Sequence, residues 1–420
     1  MHILFLTDNF PPETNAPASR TFEHAKAWVD AGHDVTVVTC APNFPKGKVH
    51  EGYRNRLWQS ENMAGIKVIR VWTIIAKNEG FGLRILDYLS YMVCGFLGSL
   101  FVRKPDVVVG TSPQFFTVCA AWAVAALKRR PFVFELRDIW PESIRAVGAM
   151  ESSKLLDFFE KIELFLYRKA HSIVAVTHRF KENLISRGVD GQKINIVTNG
   201  VDRTNFNPLA KDEKLQAELA LEGKFVAGYV GTHGMAHALD TVIDAAKILE
   251  KSGLHDEIRI IMLGDGASRA HLQDRAQQEG VTIISFIDSV SKDEVKNYWS
   301  LLDVSIIHLS KNDLFKQVIP SKLFECMGMG IPVLHGVQGE SAEIVTNNQV
   351  GLVFEPENAE SLAQGIVRLR DDDKLRLKLA ANGIKTSAKY DRLLLAEQML
   401  RILKSCTDIQ APPESLKPRN

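Results

Sequence analysis

The feature that most constrains this 420-residue chain is a regular alternation of short apolar, β-branched runs with amphipathic stretches of helical length. In the first half the strand candidates are His2–Thr7, Asp34–Thr39, Lys67–Trp72, Asp106–Gly110, Phe132–Leu136, Ser172–Val176 and Asn195–Thr198. Several are apolar on both faces, as strands of a parallel sheet sandwiched between helices must be. A helix is predicted over Ser19–Ala31, ended by Gly32. A second series runs through Phe225–Val230, Ile258–Leu263, Val281–Ile287, Asp303–His308, Pro332–His335 and Val350–Phe354. The pattern predicts an α/β protein of two Rossmann-like, doubly wound domains. Their ligands should sit at the carboxyl ends of strands and in a cleft between the domains.

Residues 200–224 hold no strand candidate and are rich in charge and turn formers, which predicts an interdomain segment. The expected division is a first domain over 1–205 and a second over 206–387. A last helix over Ala388–Leu403 is expected to join the first domain, with a tail over 404–420 whose Pro-rich end, APPESLKPRN, is expected to be disordered.

The formal net charge of +1 argues against a nucleic-acid partner. It conceals a split: residues 1–205 carry 26 Lys+Arg and 20 Asp+Glu, and the remainder 25 and 30, balances of +6 and −5. Opposite signs suggest different partners for the two halves. Five widely spaced cysteines without metal-site spacing fit unpaired thiols in a reducing cytoplasm. The opening MHILFLT lacks a basic leader and reads as a first buried strand rather than a signal peptide.

One segment departs from the alternation. Residues 81–102 are nearly all apolar apart from Arg84 and Asp87, yet the uninterrupted stretch, Tyr88–Val102, is shorter than a bilayer crossing requires. It reads first as a helix buried in the first domain. A second reading is a helix in a membrane interface, with Arg103, Lys104, Lys128, Arg129 and Arg130 nearby.

Five places can carry chemistry. The loop Asp8–Arg20 joins the first strand to the first helix, and Asn15 and Arg20 are its best-placed hydrogen-bonding groups. It holds no G-x-G-x-x-G, which counts against a dehydrogenase. In FELRDIWPE, Arg137, Asp138 and Glu142 follow an apolar strand, where function or a buried ion pair would both place charge. In the second half, Gly231, Thr232, His233 and Gly234 follow a strand, so the backbone could approach a pyrophosphate while His233 and His237 donate to it. Gly264, Asp265 and Gly266 end the next strand, followed by Arg269. The strongest local signal is VIPSKLFECMGMGIPV: Pro320 and Ser321 suit a helix start, Lys322 then faces an anion, and Glu325 lies one turn on.

At these residues the chain resembles the retaining, nucleotide-sugar-dependent glycosyltransferases of GT-B fold, the group 1 glycosyltransferases, over nearly its whole length. FPPETNAPASR, GHDVTVVT, VFELRDIWPES, VTNGVD, GDGASR and PSKLFECMGMGIPVL occur in that family's order. The combination is similar to the L-fucosamine transferase branch of bacterial O-antigen and capsule assembly. The resemblance implies a UDP-sugar donor, a substrate rather than a cofactor, held by the second domain. Glu325 would bind the ribose, Ser321 and Lys322 would face the diphosphate, Gly231 to Gly234 would lie near it, and Asp265 and Gly266 near the nucleotide. Arg137 and Asp138 fall where that family places a residue pointing at the transferred sugar, and Asn15, Arg20 and Glu142 are assigned to the acceptor side or the cleft. Two positions depart from the family pattern. Gln317 replaces the first of two glutamates eight residues apart, and the usual Arg and Lys of the first glycine loop give way to His233 and His237.

The mechanism expected is metal-free stabilisation of the leaving diphosphate by Lys322, helix N-termini and backbone N–H groups, with Arg269 as a further cation. Asp138 would orient donor or acceptor. The expected acceptor is a polyprenyl-diphosphate-linked saccharide, reached from the cytoplasm by peripheral docking on the inner membrane. A GT-B-like UDP-amino-sugar epimerase and a non-catalytic nucleotide-sugar-binding protein are the alternatives.

Overall fold

The computed structural model describes residues 1–44, 47–75, 81–140 and 154–408. The chain forms two compact units, Met1–Thr198 with Arg392–Asn420, and Asn199–Asp391.

Among the described residues, the first unit is built on eight strands: β1 (His2–Leu6), β2 (Asp34–Cys40), β3 (Trp58–Met63), β4 (Ile66–Val71), β5 (Val107–Thr111), β6 (Phe132–Leu136), β7 (Ser172–Ala175) and β8 (Ile194–Ile196). Their order across the sheet is β3-β4-β2-β1-β5-β6-β7-β8. Leu4 of β1 pairs in parallel with Thr36 on one side and Val108 on the other. Strand order therefore reverses at β1 and β5, the place where doubly wound sheets open a crevice. β3 is antiparallel to β4 and alternates exposed with half-buried residues, as a solvated edge does. The first helix covers Ala16–Asp30, three residues earlier than its apolar period indicates, because Asn15 accepts the Ala18 N–H at 3.0 Å and caps it. The helix Arg392–Asp408 packs in this unit, and the Trp28 indole donates to the Ala396 carbonyl at 2.8 Å.

The second unit holds β9 (Phe225–Val230), β10 (Ile258–Leu263), β11 (Ile284–Ile287), β12 (Val304–His308), β13 (Val333–Gly336) and β14 (Gly351–Val353), in the order β11-β10-β9-β12-β13-β14. All these pairs are parallel, and the order reverses between β9 and β12. Residues 200–224 belong to this unit's body instead of forming a free connector. Val201, Phe206 and Leu221 are buried in its core, and the Val201 N–H donates to Tyr390 O at 2.9 Å.

The apolar segment forms the helix Phe81–Leu100, and it is not buried all round. Tyr91 is buried and donates to the Thr7 and Val38 carbonyls at 2.8 and 2.7 Å, fixing one face on the sheet. Leu86, Val93 and Leu97, at spacings of seven and four, share another face and are exposed. Only 22% of Leu83–Leu100 is buried, which corrects the expectation of a core helix.

Candidate active site

In the first unit, the carboxyl ends of β5 and β6 converge on Ser112. Its Oγ accepts the Arg137 N–H at 2.7 Å and the Asp138 N–H at 3.2 Å. Glu135, the penultimate residue of β6, is buried and ion-paired with the buried Arg20, while Arg137 Nη1 stands 3.9 Å from the same carboxylate oxygen. Burial, with Arg20 and Arg392 adding repulsion against the pull of Glu135, holds Arg137 well below the ordinary arginine value. His24 is kept neutral by burial and by the same three arginines.

Of the predicted residues here, Arg20 and Arg137 are thus gathered around Glu135. Asn15 is engaged as the helix cap and donates to Asn9 Oδ1 at 2.6 Å. Glu142 lies outside the described residues. A protonable carboxyl that the motifs did not single out as a site is Asp87, pushed up to about 7 by burial and by the neighbouring Asp8. Its signal was present as a lone acid in an apolar run.

The second unit's crevice, at β9 and β12, is where the predicted donor residues collect. After β9, the chain turns through Gly231 at φ +136°, a value suited to glycine. Two strand-end loops are zipped together: His233 N–H donates to Asp265 O at 2.9 Å, and Ser268 N–H to His233 O at 2.9 Å. Gly264 must be glycine, because a Cβ there would run into the Gly231 carbonyl. Asp265 Oδ1 accepts the Gly266 N–H at 2.7 Å, so this carboxylate shapes its own loop. Arg269 is likewise engaged: its guanidinium donates to the Gly264 and Ile287 carbonyls and pairs with Asp288 at 2.6 Å.

From the β12 side, His308 clamps the glycine loop. Its Nε2 accepts the Glu357 N–H at 2.8 Å, so Nδ1 carries the proton and donates to His237 O at 2.7 Å. Ser310 N–H adds a bond to Ala236 O at 2.9 Å.

The helix Lys322–Met329 then delivers Lys322 to this loop. Pro320 and Ser321 begin it as expected, but the Ser321 side chain makes no capping bond. Lys322 Nζ is buried, has no hydrogen-bond partner among the described residues, and lies 3.7 Å from the centre of the Tyr229 ring. A Cβ on Gly231 would stand 2.8 Å from that nitrogen. Burial lowers Lys322 to about 7, against small opposing effects of Cys326 and Glu325. His233 is fully buried, neither ring nitrogen has a partner among the described residues, and burial, with Arg269 and Lys322 nearby, lowers it to about 4. The Gln317 Oε1 is buried and also unpartnered among the described residues. Such groups cost free energy when left unsatisfied, so their concentration at one strand-order reversal marks a site built for a polar ligand. Tyr229 had no sequence signal, because a tyrosine in FVAGYV reads as core.

The model for group 1 glycosyl transferases matches residues 210–386, and that for a glycosyl transferase 4-like domain matches residues 15–200. The chain belongs to the group 1 glycosyltransferases. This glycosyltransferase is 25% identical over 384 residues to WcaI of Escherichia coli (strain K12), whose name assigns it to colanic acid biosynthesis; the match covers 87% of this chain and 91% of WcaI. It is 25% identical over 246 residues to a Campylobacter jejuni enzyme, covering 57% of this chain and 61% of that one. That enzyme is named an N-acetylgalactosamine-N,N'-diacetylbacillosaminyl-diphospho-undecaprenol 4-alpha-N-acetylgalactosaminyltransferase. The solved structure of HepE from Anabaena, in complex with UDP and glucose, superposes with a TM-score of 0.70 at 17% identity, covering 96% of this chain and 99% of HepE. The glycosyltransferase therefore has the GT-B fold.

Proposed function

We propose that this glycosyltransferase transfers a sugar of the N-acetylated amino or deoxy class, with retention, from a UDP-sugar to a polyprenyl-diphosphate-linked saccharide in surface polysaccharide assembly. The observation that carries this reading is the buried Lys322 Nζ against the Gly231 loop, without a hydrogen-bond partner among the described residues. A lysine in that setting answers a diphosphate, whose negative charge grows as the glycosyl bond breaks. Ser321, Glu325 and Gln317 occupy the same helix and the turn before it, and would contact the nucleotide and donor sugar. HepE holds UDP and glucose on the same fold, which supports a UDP donor.

The acceptor reading rests on the Campylobacter enzyme's diphospho-undecaprenol acceptor and on the first unit's surface. Leu97 and Phe101 are exposed beside Trp58, whose ring lies 5.6 Å from that of Phe101. Arg54 and Arg56 precede Trp58 in the chain, Arg103 and Lys104 follow Phe101, and all four, with Arg129, are exposed. Such a surface suits the anionic cytoplasmic leaflet. Retention and the deoxyamino-sugar branch rest on the motif resemblance.

The test is a panel of UDP-sugars with lipid-linked saccharide acceptors, followed by product analysis of the anomeric configuration. Sugar recovered in the lipid fraction with the donor's anomeric configuration is the expected result. UDP released without an acceptor, or UDP-sugar bound without turnover, would replace this reading with an epimerase or a binding protein.

A further inference from the structure

Lys322, whose buried Nζ has no hydrogen-bond partner among the described residues, rests on an aromatic ring. Lys322 Nζ sits over the Tyr229 face at 3.7 Å, a distance at which a ring attracts a cation. Tyr229 is itself fixed: it is fully buried, and its hydroxyl donates to the Thr232 carbonyl at 2.8 Å. The rings of His233 and His237 lie 5.8 and 6.0 Å from that of Tyr229. Tyr229 therefore lies beside Lys322, His233 and His237 together.

We propose that the Tyr229 ring is the resting place of the Lys322 amino group and presents it to the donor's diphosphate, so that nucleotide binding draws a proton into the site. The inference rests on the reading of Lys322 as a diphosphate ligand. It adds a positioning residue and a proton count that this reading does not require.

The groups facing Lys322 set the sign. Glu325 and Cys326, on its own helix, favour the charged form weakly, and the Cys326 thiol is itself neutral, pushed up to about 12. His233 and His237, lowered to about 4, are neutral above pH 6, each with one ring N–H to donate. Arg269 and Asp265 act on His233 with opposite signs, and His308 adds a weak repulsion at His237. Burial dominates at Lys322, leaving it largely uncharged above its value of about 7 until an anion arrives. A bound diphosphate restores the charge, and the proton comes from solvent.

The experiment is calorimetric titration of the full chain with UDP in buffers of different ionisation enthalpy, at pH 8.5. There the phosphate, with its second ionisation near pH 6, contributes no proton of its own. Wild type should take up close to one proton, and its affinity should fall about tenfold per pH unit above the Lys322 inflection. Tyr229→Leu should move that inflection down by about one pH unit, the size of a desolvated cation–ring attraction. Tyr229→Phe, which keeps the ring, should leave it in place. Lys322→Met should bind UDP weakly and without proton uptake. Wild-type binding with no proton uptake, or a Tyr229→Leu inflection identical to that of wild type, overturns the proposal. Should Lys322→Met bind UDP as wild type does, the underlying reading of the lysine fails instead. Circular dichroism of each variant confirms folding, and the wild-type proton count stands even if Tyr229→Leu does not fold.

Discussion

Gly231 and Lys322 are sterically coupled: a Cβ on Gly231 would stand 2.8 Å from Lys322 Nζ and 3.3 Å from its Cε. The lysine's far end is flexible enough to yield, so Gly231→Ala should displace the ammonium more than it unfolds the unit. The backbone at φ +136° adds a strain of about 1–3 kcal/mol. UDP affinity is expected to fall at least about tenfold, a loss of about 1.4 kcal/mol. Titration calorimetry beside a urea melt separates the two effects.

The buried Arg20–Glu135 pair sets a stability test in the first unit. Arg20→Ala leaves a buried carboxylate with Arg137 3.9 Å away as its remaining near cation, and should cost about 3–5 kcal/mol. The double variant Arg20→Met/Glu135→Leu removes both charges and should recover most of that loss. Urea unfolding of the single and double variants checks the order.

Much of this architecture was legible in the sequence, for a physical reason. β6, β9 and β10 are buried strands, and their apolar runs stop where burial stops, so Phe132–Leu136, Phe225–Val230 and Ile258–Leu263 read directly. β3 escaped because WQSENM is an edge strand without a continuous apolar face. The run 200–224 looked like a connector because Val201, Phe206 and Leu221 are too widely spaced to form a period, although each is buried. The donor loops announced themselves through glycine, proline and charge. Tyr229 did not, since its role comes from the Lys322 ammonium brought onto its ring from a distant helix, a tertiary fact.

Acid should destabilise the protein through its buried histidines. His335, His233 and His24 are all but fully buried, and His335 and His233 are lowered to about 3 and 4. In the unfolded chain each binds a proton near its ordinary value, about 6.5. Between that value and about 4 the unfolded state holds more protons, so stability falls as pH falls through this window. His335→Asn should flatten the dependence of urea midpoint on pH from 6.5 to 4, at some cost in stability at pH 7, where the hydrogen bond between His335 Nε2 and Ser341 Oγ is lost.

The exposed face of the Phe81–Leu100 helix should govern membrane binding. Leu97→Glu with Phe101→Glu puts two acids on the patch beside Trp58. Flotation with anionic vesicles is expected to fall severalfold for this variant, and UDP affinity to stay within twofold, since the patch lies in the other unit. Wild-type protein that fails to float at low salt would remove the membrane from the account.

The most direct test of the account is UDP affinity at pH 7 for wild type and Lys322→Met. Lys322→Met should lose about thirtyfold or more, the size of a charge-assisted contact to a phosphate, about 2 kcal/mol. Equal affinities would contradict the assignment of Lys322 to the donor's diphosphate and, with it, the central claim about this site.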